Sequence, residues 1–271
     1  MIKLSVIVLT SPGREANLEL CLRALAAQTQ PAEQIILVDD GSAGGAGIVA
    51  QWQAQLPLQH DWRPNDANRS RSRNLGAAAA AHPGLVFLDG DMLVNPHALA
   101  YYRLYLCELQ ATAVFGYHGN LCVPDALAES ALIPDLRVHP ADERFPYMDG
   151  ELTAHPHLFT RPQDFTWSAS FALHAEDFTA LGGFDAERFQ GWGFEDFDFG
   201  YRLVNAGQAI YFSLDVWAEA SPHQRAWRNE TEKARNQGLI TPLTRLPGPV
   251  QILHDRTRPS LLRAWQHVYR A

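Results

Sequence analysis

Three short stretches of the chain are almost continuously apolar. They span residues 3–9, 34–38 and 85–88, and turn residues follow each of them. Runs of this kind are typical of strands buried inside a parallel sheet. Between the first two, leucines recur at helical spacing over residues 18–25, which supplies the crossover helix that a parallel pair requires. The pattern predicts a βαβ unit within a mostly parallel central sheet.

The same periodicities continue beyond this unit. Further helices are predicted over residues 48–55, 72–81, 175–181 and 197–205, and further strands over residues 168–173 and 209–213. Residues 118–161 are rich in Pro, His and Asp and lack a clear period, which is typical of a long functional loop. We therefore predict one α/β domain over residues 1–224, with halves at 1–115 and 116–224, and a helical extension over 225–271.

Composition excludes several classes of protein. The 271 residues carry 22 Lys and Arg against 30 Asp and Glu, a net charge of -8, which disfavours a nucleic-acid-binding protein. Cys21, Cys107 and Cys122 lack the spacing of a disulfide framework or a cysteine metal site and are expected to be core thiols. No apolar run approaches the ~20 residues of a membrane span, and no leader cleavage pattern follows the first strand. These features predict a cytoplasmic protein without an integral membrane segment, in contact with a membrane at most peripherally.

Asp89, Gly90 and Asp91 follow the third apolar run, at the end where open α/β sheets bind ligands. In extended backbone the two carboxylates point to the same side, and Gly90 leaves room for the close approach of a ligand. Two such carboxylates repel each other unless a cation lies between them. Mn²⁺ or Mg²⁺ prefers oxygen ligands and is commonly completed by substrate phosphates. A polar turn after a strand is the simpler interpretation of an isolated motif.

Two other segments favour a nucleotide ligand. Asp39 and Asp40 follow the second apolar run, where they could accept hydrogen bonds from a base imide or from ribose hydroxyls. A solvated turn is the alternative. Residues 68–74 contain three alternating arginines just before an alanine-rich helix, and Arg69 and Arg73 there would favour a phosphate together with the helix amino terminus. The alternative is a basic surface that aids solubility.

Residues 182–198 form the most distinctive segment. Gly191 and Gly193 flank Trp192, a construction that suits a loop closing over a bound sugar. Glu195 and Asp196 follow at the start of a predicted helix, and one of them could deprotonate an acceptor hydroxyl. Both carboxylates also complement the helix dipole, which is compatible with catalysis.

A histidine after the last predicted strand is a candidate third metal ligand, and the alternative is an ordinary structural histidine, one of 11 in the chain. His223 lies ten residues beyond residue 213 and could bind a cation through an imidazole nitrogen. His155 and His157 are weaker candidates, because no carboxylates at a strand end lie near them in the sequence.

Together these segments resemble the inverting glycosyltransferases of family 2, which have the GT-A fold. The resemblance covers roughly residues 3–225, and the carboxyl-terminal half is similar to β-1,4-galactosyltransferases and chondroitin polymerase. The segments that carry it are SVIVLTSPGRE, LVDDGS, NRSRSRNLG, FLDGD and GGFDAERFQGWGFEDFDFGYRL. The opening segment departs from the usual pattern, because Ser11-Pro12-Gly13 replaces an aromatic-Asn pair.

The resemblance implies a role for each matching residue. Residues 1–115 would bind the donor and residues 116–224 the acceptor. The residues implied at the nucleotide-sugar are Thr10, Asp39, Asp40, Arg69, Arg73, Asp89, Gly90 and Trp192. The implied metal ligands are Asp91 and His223, with Asp89 on the ribose or metal side. Asp196 is implied as the catalytic base, with Glu195 beside it at the acceptor.

The implied reaction is the inverting transfer of a sugar from a nucleotide-sugar, expected to be a UDP-sugar, to a hydroxyl of a glycan or glycoconjugate. A divalent cation, Mn²⁺ or Mg²⁺, would assist departure of the nucleoside diphosphate. A nucleotidyltransferase or a noncatalytic nucleotide-sugar-binding protein are the alternatives. The sequence leaves the donor sugar, the acceptor and the oligomeric state open.

Overall fold

Strands and helices alternate along the amino-terminal part of the chain. The computed structural model describes residues 1–119, 161–221, 230–248 and 251–253. The strands are β1 (Leu4–Thr10), β2 (Gln34–Asp40), β3 (Leu58–Arg63), β4 (Gly84–Asp89), β5 (Met92–Val94), β6 (Thr112–Gly119), β7 (Ser170–His174), β8 (Ala209–Ala220) and β9 (Gln251–Leu253). The helices are α1 (Glu15–Ala26), α2 (Gly45–Trp52), α3 (Arg69–Ala78), α4 (Ala98–Glu108), α5 (Ala175–Ala180), α6 (Glu195–Asn205) and α7 (Glu230–Gln237), and a 3₁₀ turn spans Pro162–Phe165.

All nine strands belong to one sheet. Their order is β3-β2-β1-β4-β7-β6-β8-β5, with β9 beside β8. Strands β3, β2, β1 and β4 run parallel to one another, as do β6, β8 and β9. Strand β7 is antiparallel to β4 and β6, and β5 is antiparallel to β8. The predicted α/β architecture, a mixed and mostly parallel sheet flanked by helices, is confirmed.

Both faces of the sheet are covered, which explains why its central strands show no polar alternation. On one face, Val6, Val8 and Leu37 pack with the buried sides of α1 and α4. The other face carries a stack of phenylalanines that includes Phe87 and Phe171, whose ring centroids lie 4.6 Å apart. The same stack includes residues of α5 and α6, so these helices pack directly on the face of the sheet that contains β4 and β7.

Helix α3 begins earlier than predicted. It starts at Arg69, because the side-chain oxygen of Asn68 accepts a hydrogen bond from the N–H of Arg71 at 2.9 Å. Asn68 is therefore the N-cap. The basic segment forms the first turn of the helix and not the loop before it.

Five elements, β3, β5, α4, β6 and β9, are absent from the predicted set. The sequence of β3, LQHDWR, is mostly polar because it is the edge strand of the sheet. Strand β8 is longer than predicted and continues to Ala220, because its second half pairs with β5. Cys21 is buried as expected, whereas Cys107 is exposed near the end of α4, so the prediction of a core thiol is wrong there. Cys122 lies outside the described residues.

The domain boundaries stay a prediction. Most of the predicted loop over residues 118–161, including His155 and His157, lies outside the described residues. Within the predicted helical extension the structure describes α7 and also β9, which joins the sheet beside β8. Across the described ranges, no helix has the length and apolar character needed to cross a membrane.

Candidate active site

The carboxyl ends of β1, β2 and β4 lie side by side. Thr10 pairs with Asp39 across β1 and β2, and Leu9 pairs with Asp89 across β1 and β4. The hydroxyl of Thr10 is buried and has no hydrogen-bond partner among the described residues. This edge of the sheet therefore brings together three of the predicted segments and leaves an unsatisfied polar group between them.

Gly90 passes very close to β1. Its N–H donates a hydrogen bond to the carbonyl oxygen of Leu9 at 2.8 Å, and a Cβ atom on Gly90 would lie 2.5 Å from the same oxygen. Only glycine fits this approach. Asp89 and Asp91 lie on either side of Gly90, so this contact with β1 fixes their backbone. The Asp89 side chain is 33% exposed.

Asp91 is half-buried and joined to the end of β8. Its carbonyl oxygen accepts a hydrogen bond from the N–H of Ser221 at 2.7 Å. The hydroxyl of Ser221 in turn accepts from the side-chain amide of Asn17 at 2.6 Å. The chain is thus anchored beside Asp91 two residues before His223, which itself lies outside the described residues.

The two carboxylates create a negative potential that reaches into α1. Burial raises the pKa of the Cys21 thiol, and the charges of Asp91 and Asp89 raise it further. Across the described residues, no group of three His, Cys, Asp or Glu side chains is placed to hold a metal ion. Two carboxylates beside a close backbone turn nevertheless fit a hard cation that shares its coordination with phosphate oxygens. The divalent cation stays a prediction.

Asp39 lies beneath the surface of the site. It is 0% exposed, and its carboxylate accepts hydrogen bonds from the N–H and the hydroxyl of Ser42 at 2.8 and 2.6 Å. The Nε2 atom of His60 lies 3.1 Å from the same carboxylate. These bonds fix the turn that follows β2, and they occupy the oxygens that the sequence had suggested for the nucleoside.

Asp40 holds the next turn in the same way. Its carboxylate accepts from Arg63 at 3.0 Å and from the backbone N–H groups of Asp66 and Ala67 at 3.1 Å. Ala67 has a φ of 53°, a conformation that costs energy for a residue with a side chain. Asp40 therefore stabilises the strained turn that leads into α3. A direct contact of Asp39 or Asp40 with a nucleoside stays a prediction.

The two arginines predicted at the diphosphate have different surroundings. Arg69 is exposed on the first turn of α3. Arg73 is 1% exposed, and its guanidinium lies 3.1 Å from Asp89 and 3.5 Å from Glu195. It also lies over the ring of Phe184, 5.1 Å from the centroid. Arg73 thus joins a carboxylate at the end of β4 to a carboxylate at the start of α6.

Helix α6 begins with an unusual backbone. Gly191 and Gly193 have φ values of 79° and 98°, and Phe194, the residue before the helix, has a φ of 67°. One oxygen of Glu195 accepts a hydrogen bond from the N–H of Gly193 at 3.2 Å, while the other faces Arg73. Both carboxylate oxygens of Glu195 are therefore occupied by contacts within the protein.

Asp196 differs from its neighbour. Burial and the adjacent charge of Glu195 raise the pKa of Asp196 to about 7, with Arg73 acting in the opposite direction. The backbone carbonyl of Asp196 accepts a hydrogen bond from the hydroxyl of Thr166 at 2.9 Å, which ties this turn to the 3₁₀ segment. A carboxylate with such a pKa can accept a proton near neutral pH.

Sequence reasoning missed Arg14. This residue follows the turn after β1, and burial lowers the pKa of its guanidinium, while Asp91 raises it and Arg69 lowers it. Arg14 therefore lies close enough to both groups to contribute charge to the site. The signal available in the sequence was a basic residue directly after the Ser11-Pro12-Gly13 turn at the carboxyl end of the first strand.

Two family models match the chain. Residues 5–119 match glycosyl transferase family 2, and residues 159–215 match the domain described as the N-terminal domain of galactosyltransferase. The matches cover the two halves on which the predicted resemblance rests, and they confirm it. The chain has the GT-A fold, and residues 5–119 are similar to glycosyl transferase family 2.

Individual glycosyltransferases support the same assignment. The chain is 28% identical over 242 residues to validoxylamine A glucosyltransferase of Streptomyces hygroscopicus subsp. limoneus, covering 81% of this chain and 52% of that protein. It is 26% identical to chondroitin synthase of Escherichia coli, covering 78% of this chain and 33% of that one. It therefore spans about half the length of the first relative and less of the second.

A solved structure shows the same fold at low sequence identity. GalNAc-T7, in complex with UDP, GalNAc and Mn²⁺, superposes with a TM-score of 0.61 at 16% identity. The likeness covers 84% of this chain and 45% of that one. At this identity the likeness shows the fold alone.

Proposed function

We propose that the chain catalyses the inverting transfer of a sugar from a UDP-sugar to a hydroxyl group of a glycan or glycoconjugate, with Mn²⁺ or Mg²⁺ as cofactor. The observation that carries the proposal is the pair of contacts made by Arg73, at 3.1 Å to Asp89 and 3.5 Å to Glu195. The buried guanidinium of Arg73 thus lies between a carboxylate of the proposed donor side and one of the proposed acceptor side. A direct displacement requires donor and acceptor to be held close together.

The donor would lie across the ends of β1, β2 and β4. Thr10 offers a buried hydroxyl to the nucleoside, and Asp39 and Asp40 shape the two turns around it. Arg69, on the exposed first turn of α3, would face the diphosphate together with Arg14. The UDP and sugar bound in GalNAc-T7 support this class of donor.

Asp91, His223 and Asp89 would hold the divalent cation, which when bound neutralises charge on the departing diphosphate. The backbone bond from Ser221 to Asp91 supports this role of His223, which follows Ser221 two residues later in the sequence. Gly90 would keep the two carboxylates turned toward the ligand, because a side chain there would collide with β1.

Asp196 would act as the base. Its carboxylate removes the proton of the acceptor hydroxyl, the hydroxyl oxygen attacks C1 of the sugar, and the bond from C1 to the diphosphate breaks with inversion. Glu195 is less suited to this role, because its two oxygens face Arg73 and the N–H of Gly193. The charge of Glu195 adds to the effect of burial and raises the pKa of Asp196.

The test is release of UDP from a panel of UDP-sugars, with glycan acceptors, in the presence and absence of Mn²⁺. We expect Asp196→Asn to lower kcat by about a hundredfold or more while leaving the Kd of the donor within about twofold. Glu187→Gln is the matched control, because this carboxylate is 88% exposed in the same segment. Release of pyrophosphate would favour a nucleotidyltransferase, and binding of the donor without turnover would favour a noncatalytic protein.

A further inference from the structure

Helix α7 packs against the loop that contains Trp192. Asn236 on this helix is 0% exposed. Its side-chain amide donates to the carbonyl oxygen of Gly193 at 2.9 Å and lies 3.4 Å from the carbonyl oxygen of Trp192. Its side-chain oxygen accepts from the guanidinium of Arg235 at 3.0 Å. A buried amide more than forty residues away in sequence thus satisfies backbone groups of the predicted acceptor loop.

Two more side chains of α7 contact the same loop. The N–H of Trp192 donates to the carboxylate of Glu232 at 3.2 Å, and the ammonium group of Lys233 lies 5.7 Å from the centre of the indole ring. A Cβ atom on Gly191 would lie 2.5 Å from the Glu232 carboxylate, so this carboxylate lies directly against the loop. Donors and acceptors on α7 therefore contact the loop backbone from Gly191 to Gly193.

The residues after α7 are fixed to α6. Asp198 of α6 is 0% exposed and accepts hydrogen bonds from the N–H and the hydroxyl of Thr241 at 2.9 and 2.7 Å. Arg188 lies 3.3 Å from the same carboxylate and donates to the carbonyl oxygen of Leu239 at 3.2 Å. We call residues 230–241 the α7 brace. It contacts the loop of residues 191–193, called here the Trp192 loop. It also contacts helix α6, whose first turn contains the predicted base Asp196.

We propose that the α7 brace holds the Trp192 loop in the conformation that receives the acceptor, with Asn236 as its principal positioning residue. The loop needs such support because Gly191 and Gly193 both have positive φ, and glycine leaves the unbraced backbone free to adopt many conformations. Asn236 removes that freedom by binding two successive carbonyl groups. The link to acceptor binding rests on the proposed function, whereas the bracing of the loop does not.

The bracing is tested by hydrogen exchange of the full chain, measured on peptides that cover residues 187–194. We expect Asn236→Ala to speed exchange of these amides by about tenfold, because the loop loses buried hydrogen bonds. Gln237→Ala is the matched control, an exposed amide on the same helix that should change nothing. Equal exchange in the two variants would overturn the proposal.

A second variant keeps the test decisive if Asn236→Ala destabilises the whole chain. Glu232→Ala removes the carboxylate that accepts from Trp192 at the surface of α7, and we expect a smaller increase in exchange, about threefold, confined to the same peptides. Unchanged exchange in this variant, with the chain folded, would also contradict the brace.

Kinetics then test the role in acceptor binding. We expect Asn236→Ala to raise the KM for the acceptor by about tenfold, with kcat and the Kd for the UDP-sugar changed by less than about threefold. A loop that exchanges faster without any change in acceptor KM would reject the positioning role. If the unaltered chain transfers no sugar at all, the proposed function fails, while the exchange results still decide whether the brace exists.

Discussion

On the proposed donor side of the site, the turns after β2 and β3 are held by the two carboxylates at the end of β2. The carboxylate of Asp39 binds Ser42, and that of Asp40 binds the backbone of Asp66 and Ala67. On the acceptor side, the Trp192 loop is bound by Asn236, more than forty residues later in the chain. The donor side is therefore built by the strands that form it, whereas the acceptor side depends on a distant segment. Changes in that segment can alter acceptor binding without disturbing the donor turns.

Arg73→Met should have the largest effect, because it disturbs both sides at once. The substitution leaves Glu195 buried without its cation and Asp89 without its partner. We expect a loss of about 3 kcal/mol in the free energy of unfolding, measured by urea denaturation. Arg71→Met on the same helix is the control, since that side chain is 44% exposed. A loss no greater than in the control would show that the two sides are not joined through Arg73.

Asp39→Ala should affect the donor side alone. The change leaves the buried hydroxyl and N–H of Ser42 without their acceptor, which is expected to cost about 2 kcal/mol of stability. The Kd of the UDP-sugar should rise in calorimetric titrations, while the hydrogen exchange of residues 187–194 stays unchanged. Asp61→Ala, on the edge strand β3, is the control. Faster exchange in the Trp192 loop would mean that the two sides are not independent.

The pH dependence of catalysis tests the role of Asp196 on the proposed acceptor side. Because the pKa of Asp196 is raised to about 7, the base is protonated at lower pH, and kcat/KM should fall about tenfold per pH unit below 7. The folded state binds this proton more tightly than the unfolded chain, so the stability from Asp196 decreases as pH rises from about 4 to 7. A rate profile flat from pH 5 to 8 would exclude Asp196 as the base.

Local pattern was sufficient to predict the central strands, the acidic turn at Asp89 and the helix after Trp192, which begins at Glu195, two residues before the predicted start. It could not predict that Arg73 is buried between Asp89 and Glu195. Alternating arginines before an alanine-rich helix are compatible with a basic surface, and only the packing of α3 on the sheet shows that Arg73 is buried while Arg69 and Arg71 stay exposed. The contacts of Asn236 were equally hidden, because a polar residue on a short, polar helix carries no signal about a partner far away in the chain.

The bond between Arg73 and Glu195 joins residues 122 positions apart. Contacts of such high sequence separation close late during folding, since the intervening chain must first be ordered. A growing chain on the ribosome has therefore completed β1 to β4 well before Glu195 emerges. The two sides of the site can therefore be joined only after the residues of α6 have been synthesised.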